Sequence, residues 1–239
     1  MNSITSLVKL STKMAVVPLQ TEDTGKMFEM AICLAYSIQY DGKYKYGMEI
    51  PEKLAPRLKK LQELFPACSH TAKQGARYDF TSLSDTSKHL SAKTTKKGIG
   101  KVAPQVIGQP NPLKFCSILN IPYTTDAELK KYIQTNISSI LPILTEYTFD
   151  CPNIYYNHEM SSIKFITLMT LIVWDSFEYQ WTRDYTTWNN SSTLKIKSNG
   201  IFIPIVEFQF HTKRKNMAIR WIYDNFLSVF KNNLTIVDL

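Results

Sequence analysis

Apolar and polar positions change period several times along this 239-residue chain, and the changes mark out its elements. Residues 1–24 are weakly patterned. From Lys26, the spacing of Phe28, Ile32, Ala35 and Tyr36 predicts a helix that Asp41-Gly42 ends. Glu29 falls in its first turn, where the helix dipole favours a carboxylate, although its apolar neighbours would equally let it point inward. A second helix begins near Pro51 and carries Leu54, Leu58, Leu61 and Phe65 on one stripe, stopping before Pro66. Residues from Arg77 to Phe80 and from His89 to Thr95 then read as two strands around the turn-prone segment 82–87. Both helices are expected to pack on the sheet those strands belong to. Lys101 to Ile107 is a further short strand-like run, kept short by Pro104.

In the second half, Thr125 and Glu128 have the spacing of a capping box. They open a helix whose buried stripe is Leu129, Tyr132, Ile133 and Ile137 and which Pro142 limits. Residues 147–160 read as irregular. From Ser161 to Trp181 helical and β-branched signals conflict, and the segment reads as a long buried helix or, at its 173–181 end, partly as strand. Asn199-Gly200 between two strand-like runs is a strong hairpin signal. The basic run from His211 to Asn216 leads into an expected terminal helix with Ala218, Trp221, Ile222, Phe226 and Val229 on its apolar face. No internal repeat divides the chain. The fold class implied is α/β, with a mixed β-sheet flanked by helices.

Composition narrows the picture. Hydrophobic residues make up 44% and charged residues 20%, a globular balance rather than a disordered one. The formal net charge of +8, with 13 Tyr, suits a polyanionic partner. Cys33, Cys68, Cys116 and Cys151 lie far apart, which excludes a zinc knuckle and a dense disulfide framework and leaves reduced thiols. The first residues carry no signal-peptide pattern, and the oily run 163–174 is too short and too polar to span a bilayer. A cytoplasmic protein, bacterial or phage, is expected.

The candidate chemistry sits at the first strand pair. Asp79 is set among aromatic neighbours, while His89, Ser91 and Lys93 share one face of the following strand. A carboxylate and an amine at a common edge, flanked by Lys88, Lys96, Lys97 and Lys101, suit metal-assisted phosphodiester chemistry. They also suit an ordinary hairpin with a wet, basic rim. Asp85, in the turn, reads as a cap of its own backbone. A second basic cluster follows a strand face bearing Glu207, Gln209 and His211 and comprises Lys213, Arg214, Lys215, Asn216 and Arg220. Arg and Asn suit base edges and Lys suits phosphates. Gln105 and Gln109 are open between backbone satisfaction and contact with DNA or a metal's water. His70 and His158 carry no paired spacing and read as ordinary satisfied histidines.

Asp79 followed by Ser91-Ala92-Lys93 resembles the PD-(D/E)xK nuclease superfamily, type II restriction endonucleases in particular. Tyr78 stands where that pattern has proline, and Ser91 where it has an acid. The resemblance implies a restriction-endonuclease-like core in a single nuclease domain over residues 1–239. Residues 1–120 would carry the catalytic core and 121–239 would contribute DNA recognition. It implies Mg²⁺ held by Asp79 and by Glu29, which substitutes for the missing acid, with Lys93 stabilising charge. It further implies site-specific cleavage of double-stranded DNA, with Lys96, Lys97, Gln105, Gln209 and His211 joining the basic cluster as DNA contacts. A homodimer is expected, a monomer being possible, and host DNA would be protected by a cognate methyltransferase that does not bind this protein. The rival readings are a non-catalytic basic DNA-binding or regulatory protein and a protein-interaction module.

Overall fold

The computed structural model describes residues 21–72, 76–211 and 213–239. In chain order, helix α1 (Thr21–Tyr36) is followed by α2 (Glu49–Leu54), a 3₁₀ stretch (Ala55–Lys60) and α3 (Leu61–Leu64). Strands β1 (Cys68–His70), β2 (Phe80–Ser82), β3 (His89–Thr95) and β4 (Lys101–Val102) come next. Helices α4 (Pro112–Ile118), α5 (Asp126–Thr135) and α6 (Ile137–Phe149) lead to β5 (Asn153–Asn157) and β6 (Ser162–Leu168). A 3₁₀ turn (Trp174–Ser176), β7 (Tyr179–Trp181), β8 (Ser191–Ser198), β9 (Ile201–His211), β10 (Asn216–Ile222), α7 (Tyr223–Val229) and β11 (Leu234–Asp238) complete the chain.

Two sheets result. The first has the order β1-β2-β3-β5-β6-β11, and the second the order β4-β10-β9-β8-β7. Among the described residues only the β3–β5 pair is parallel, with Ser91 opposite Asn153 and Lys93 opposite Tyr155. A parallel pair needs a long crossover, and α6 completes it. The first sheet therefore draws β5, β6 and β11 from beyond residue 120, so a division of roles at that point does not divide the sheet.

Alternation along the central strands feeds two cores. Leu90, Ile154, Tyr156 and Phe165 pack with Phe28, Ile32, Leu58 and Leu61 on the face covered by α1 to α3. Tyr155 and Ile166 face the other way, towards α6 residues Ile140 and Leu144 and the second sheet's Phe208 and Trp221. The expected packing of both early helices on the strand pair is observed.

Several expectations need correction. The helix expected from Lys26 starts at Thr21, which places Glu29 beyond the first turn; Glu22 and Asp23 occupy that turn instead. Residues 147–160 are not irregular, because they contain β5, buried along its whole length. Its two Asn ends, which look like loop residues, donate to internal carbonyls. Asn153 Nδ2 donates to Thr148 O at 2.8 Å, and Asn157 Nδ2 donates to Gly98 O at 3.3 Å. The long helix from Ser161 is instead β6, its Ile163 and Phe165 facing one core and Ile166 the other. The basic run from His211 leads into β10 rather than a helix, because Met217, Ile219 and Trp221 complete a sheet core against β9. Pro142 lies inside α6 instead of ending the α5 helix, which stops at Thr135. The 101–107 strand is only two residues long. Residues 1–20, expected to carry no leader, lie outside the described residues.

Gly100 marks the passage from the first sheet to the second. A Cβ there would collide with Tyr155 Oη and with the Thr95 side chain, so a larger residue would force those side chains to shift. Its N–H donates to Asp224 Oδ2 at 3.0 Å, which also accepts from Tyr155 Oη at 3.1 Å. The predicted hairpin turn is present, with Asn199 at φ 49° and Gly200 at φ 82° between β8 and β9. Both values are positive, as the tight primed turn requires. Gly200→Ala is therefore expected to destabilise the protein by about 1 kcal/mol. A urea titration checks this, and an unchanged midpoint would contradict it.

Candidate active site and nucleic-acid interface

Asp79 immediately precedes β2, and the hairpin folds β3 back beside it. The turn between them is closed by Asp85, whose Oδ1 accepts from Ser87 N at 3.0 Å. This is the backbone-capping role expected of it. Asp79 Oδ2 accepts the Ala92 N–H at 2.7 Å and the Ser91 hydroxyl at 3.0 Å. Ser91 thus grips the carboxylate in the place where the resembled pattern has a second acid. Oδ1 has no hydrogen-bond partner among the described residues.

Lys93 follows on the same strand face as Ser91. Burial pushes its proton affinity down, and the nearby negative charge of Asp79 opposes that shift. Asp79 is pushed up by burial and drawn back by Lys93. The two side chains feel one another without a contact ion pair, and both remain partly open to solvent. Asp150, also near Lys93, is neutralised elsewhere. Its Oδ2 accepts from Arg77 at 2.7 Å and from Tyr78 Oη at 2.8 Å. Lys93 therefore has no ion-pair partner among the described residues and lies beside a carboxylate with one open oxygen.

Glu29 is the second acid within electrostatic reach of both. It is buried and engaged by three donors. Lys26 Nζ lies 3.0 Å from Oε2, Tyr40 Oη 3.4 Å and His70 Nε2 3.1 Å. His70, which sequence spacing leaves as an ordinary histidine, is in fact fully buried against this carboxylate and stacked on Tyr40 with ring centroids 4.3 Å apart. No motif signals the pairing, since 41 residues separate the two. Lys26, Tyr40, Lys43, Lys45 and Asp79 line a cleft of about 540 Å³ on this side. Among the described residues, no three His, Cys, Asp or Glu side chains form a metal cage. The available donor set is oxygen only, from Asp79 and Glu29.

A second cleft of about 640 Å³ opens from Lys93 and is lined by Lys96, Lys97, Lys101, Gln109 and Arg220. The expected basic strip is thus one surface, except for Lys88, which stays in the turn 3.7 Å from Asp85. Gln105 does not belong to it. Its N–H donates to Tyr147 O at 3.0 Å, its Nε2 to Cys151 Sγ at 3.6 Å, and the residue is buried. All four cysteines are buried and free, as their spacing implied.

Glu207, Gln209, His211, Asn216 and Arg220 share one face of the β9–β10 ribbon. Lys213, Arg214 and Lys215 form the exposed tip of the β9–β10 hairpin. His211 and Asn216 pair across its base, lining a different cleft with Tyr123 and Phe210. Arg220, four residues along β10, lies about 13 Å from Asn216. Register places it opposite Glu207, and its guanidinium bonds Glu207 Oε1 at 3.2 Å and Gln209 Oε1. Glu207 also pairs with Lys101. Gln209 and Arg220 are consequently tied to one another through Gln209 Oε1.

Removing the Ser91 hydroxyl leaves Asp79 Oδ2 with the Ala92 N–H alone. Ser91→Ala is expected to cost about 1 kcal/mol, the net worth of one such hydrogen bond, in a denaturant titration. No loss at all would mean that the backbone donor holds Asp79 unaided.

No helix among the described residues is long and apolar enough to cross a membrane. No family model matches the chain, and no solved structure matches it. Over 224 residues the chain is 40% identical to the type II restriction enzyme CviAII of Paramecium bursaria Chlorella virus 1. The alignment covers 92% of this chain and spans 64% of that relative's length.

Proposed function

We propose that this protein is a Mg²⁺-dependent type II restriction endonuclease, cutting double-stranded DNA at a specific site. The observation that carries the reading is the closeness of Asp79 to Lys93 on one hairpin, where Lys93 opens onto a cleft lined by further cations. The likeness to CviAII supports the same class. Within this reading the whole chain acts as one nuclease domain, and a homodimer would cut both strands symmetrically.

The donor set fits Mg²⁺, which is usually held by one or two carboxylates and keeps several waters. Asp79 would hold the ion through its open oxygen, with Glu29 as the second carboxylate once Lys26 yields. Bound there, the ion would polarise a phosphate oxygen and activate water. Ser91 and the Ala92 N–H keep Asp79 from rotating away. Lys93 supplies positive charge where the phosphate oxygens gain negative charge during attack. Lys96, Lys97 and Lys101 draw the backbone into the cleft, a role that needs charge rather than shape.

A non-catalytic DNA-binding protein is the second reading. It is favoured by the serine at position 91 and by the donors already saturating Glu29. Plasmid incubated with Mg²⁺ or with EDTA separates the two: metal-dependent cutting supports the nuclease, and binding without cutting supports the alternative.

Lys93→Ala is expected to abolish single-turnover cleavage while leaving DNA affinity in Ca²⁺ within about tenfold, because the charge acts on the transition state more than on binding. Cutting at the wild-type rate would remove Lys93 from the site. At the hairpin tip, Arg214→Ala is expected to lose about 1–3 kcal/mol of preference for target over random DNA. Lys213→Ala and Lys215→Ala should weaken both equally and flatten the salt dependence. Affinities for target and random duplexes at two salt concentrations check this. A target preference unchanged in all three variants would make the tip an electrostatic anchor alone.

A further inference from the structure

The polar cluster around Glu29 contains a histidine whose proton is assigned by its surroundings. The Asp41 backbone N–H donates to His70 Nδ1 at 2.8 Å. A ring nitrogen that accepts a hydrogen bond carries no proton, so the hydrogen of neutral His70 lies on Nε2. Nε2 is 3.1 Å from Glu29 Oε2 and therefore donates to it. The ring cannot swing away, being fully buried between Tyr40 and Phe80, with centroids at 4.3 and 5.1 Å. Lys26, by contrast, reaches the same carboxylate on a long, partly exposed side chain. One donor is rigid and the other is displaceable.

We infer that His70 is a positioning residue for the site, a fixed Nε2–H donor that sets the orientation of the Glu29 carboxylate for a divalent cation. This rests on the reading of Glu29 as the second metal-holding acid. Histidine and carboxylate partners that orient a ligand from behind typically change metal affinity by about 10–100-fold when removed. Here the usual roles are reversed: the carboxylate holds the ion, and the imidazole, itself pinned by the backbone of the 37–48 loop, holds the carboxylate. The Asp41 N–H thereby couples that loop to the site, although Asp41 is 38 residues before Asp79 in sequence.

The test compares His70→Gln with His70→Met, two unbranched side chains of similar volume, of which only Gln keeps an N–H donor and an acceptor. Mn²⁺ binding is followed on the full chain, with duplex DNA present, as the loss of the free-ion electron paramagnetic resonance signal. Cleavage is measured separately at saturating metal, and Glu29→Gln is carried alongside. His70→Met is expected to weaken Mn²⁺ binding about tenfold or more, and His70→Gln to restore it to within about threefold. Nitrogen-15 spectra of the wild-type imidazoles should show one buried histidine protonated only at Nε2. Equal Mn²⁺ affinity for Met and Gln variants, with Glu29→Gln weakened, overturns the role of His70 and leaves Glu29 in place. Wild-type affinity in Glu29→Gln removes Glu29 as a ligand and the inference with it. A buried histidine protonated at Nδ1 refutes the assignment whether or not the variants fold.

Discussion

The parallel pairing of β3 with β5 is the constraint on which the rest of the molecule depends. The other pairs in the first sheet are antiparallel, and β2–β3 and β5–β6 close through short turns. The parallel pair cannot, so the chain leaves β3, builds β4 and three helices, and returns through α6. The return buries β5 on both faces and splits the apolar side chains between two cores. It also determines what lies behind the candidate site: Ser91 and Lys93 have Asn153 and Tyr155 as lateral neighbours rather than water.

The excursion has a second consequence. Because β4 departs from the β3 end, the two sheets meet beside Lys93, at a seam where Gly100 packs against the Tyr155 hydroxyl and Thr95. Asp224 joins the seam by accepting from Gly100, Tyr155 and Asn157, one partner from the crossing loop and two from β5. The cleft bearing Lys96, Lys97 and Lys101 is the outer side of this joint. The basic surface thereby adjoins the carboxylate–amine pair that the β2–β3 hairpin sets.

Electrostatics within the cleft are less uniform than a net charge of +8 suggests. Glu207 is buried between Lys101 and Arg220 and neutralises part of the wall. Desolvating a carboxylate is tolerable only with such partners. Lys93, Lys96 and Lys97 carry no ion pair among the described residues. Positive charge free to meet a phosphate is therefore concentrated next to Asp79, where the proposed chemistry needs it. The hairpin tip with Lys213, Arg214 and Lys215 is a separate centre, reached along β10.

Sequence alone determined the local features whose physics is local. Asn199-Gly200 could adopt its positive dihedrals without help from the fold, Thr125 caps α5 with its own hydroxyl, and alternation marked β3 from His89 to Thr95. The closeness of Asp79 to Ser91 and Lys93 was legible for the same reason, since a hairpin brings near neighbours together. Elements whose stability comes from distant partners were not legible. β5 looks like loop because its Asn residues find carbonyls only after α6 has packed, and β10 reads as helix until β9 supplies its pairing. The same holds at the site. That Glu29 meets His70, that Arg220 is tied to Glu207 and Gln209, and that Gln105 is buried on Cys151 are consequences of residues far apart in sequence. Side-chain charge and hydrogen-bonding capacity are written in the chain, but which partner satisfies them is decided by tertiary packing, because burial makes every unmet polar group costly.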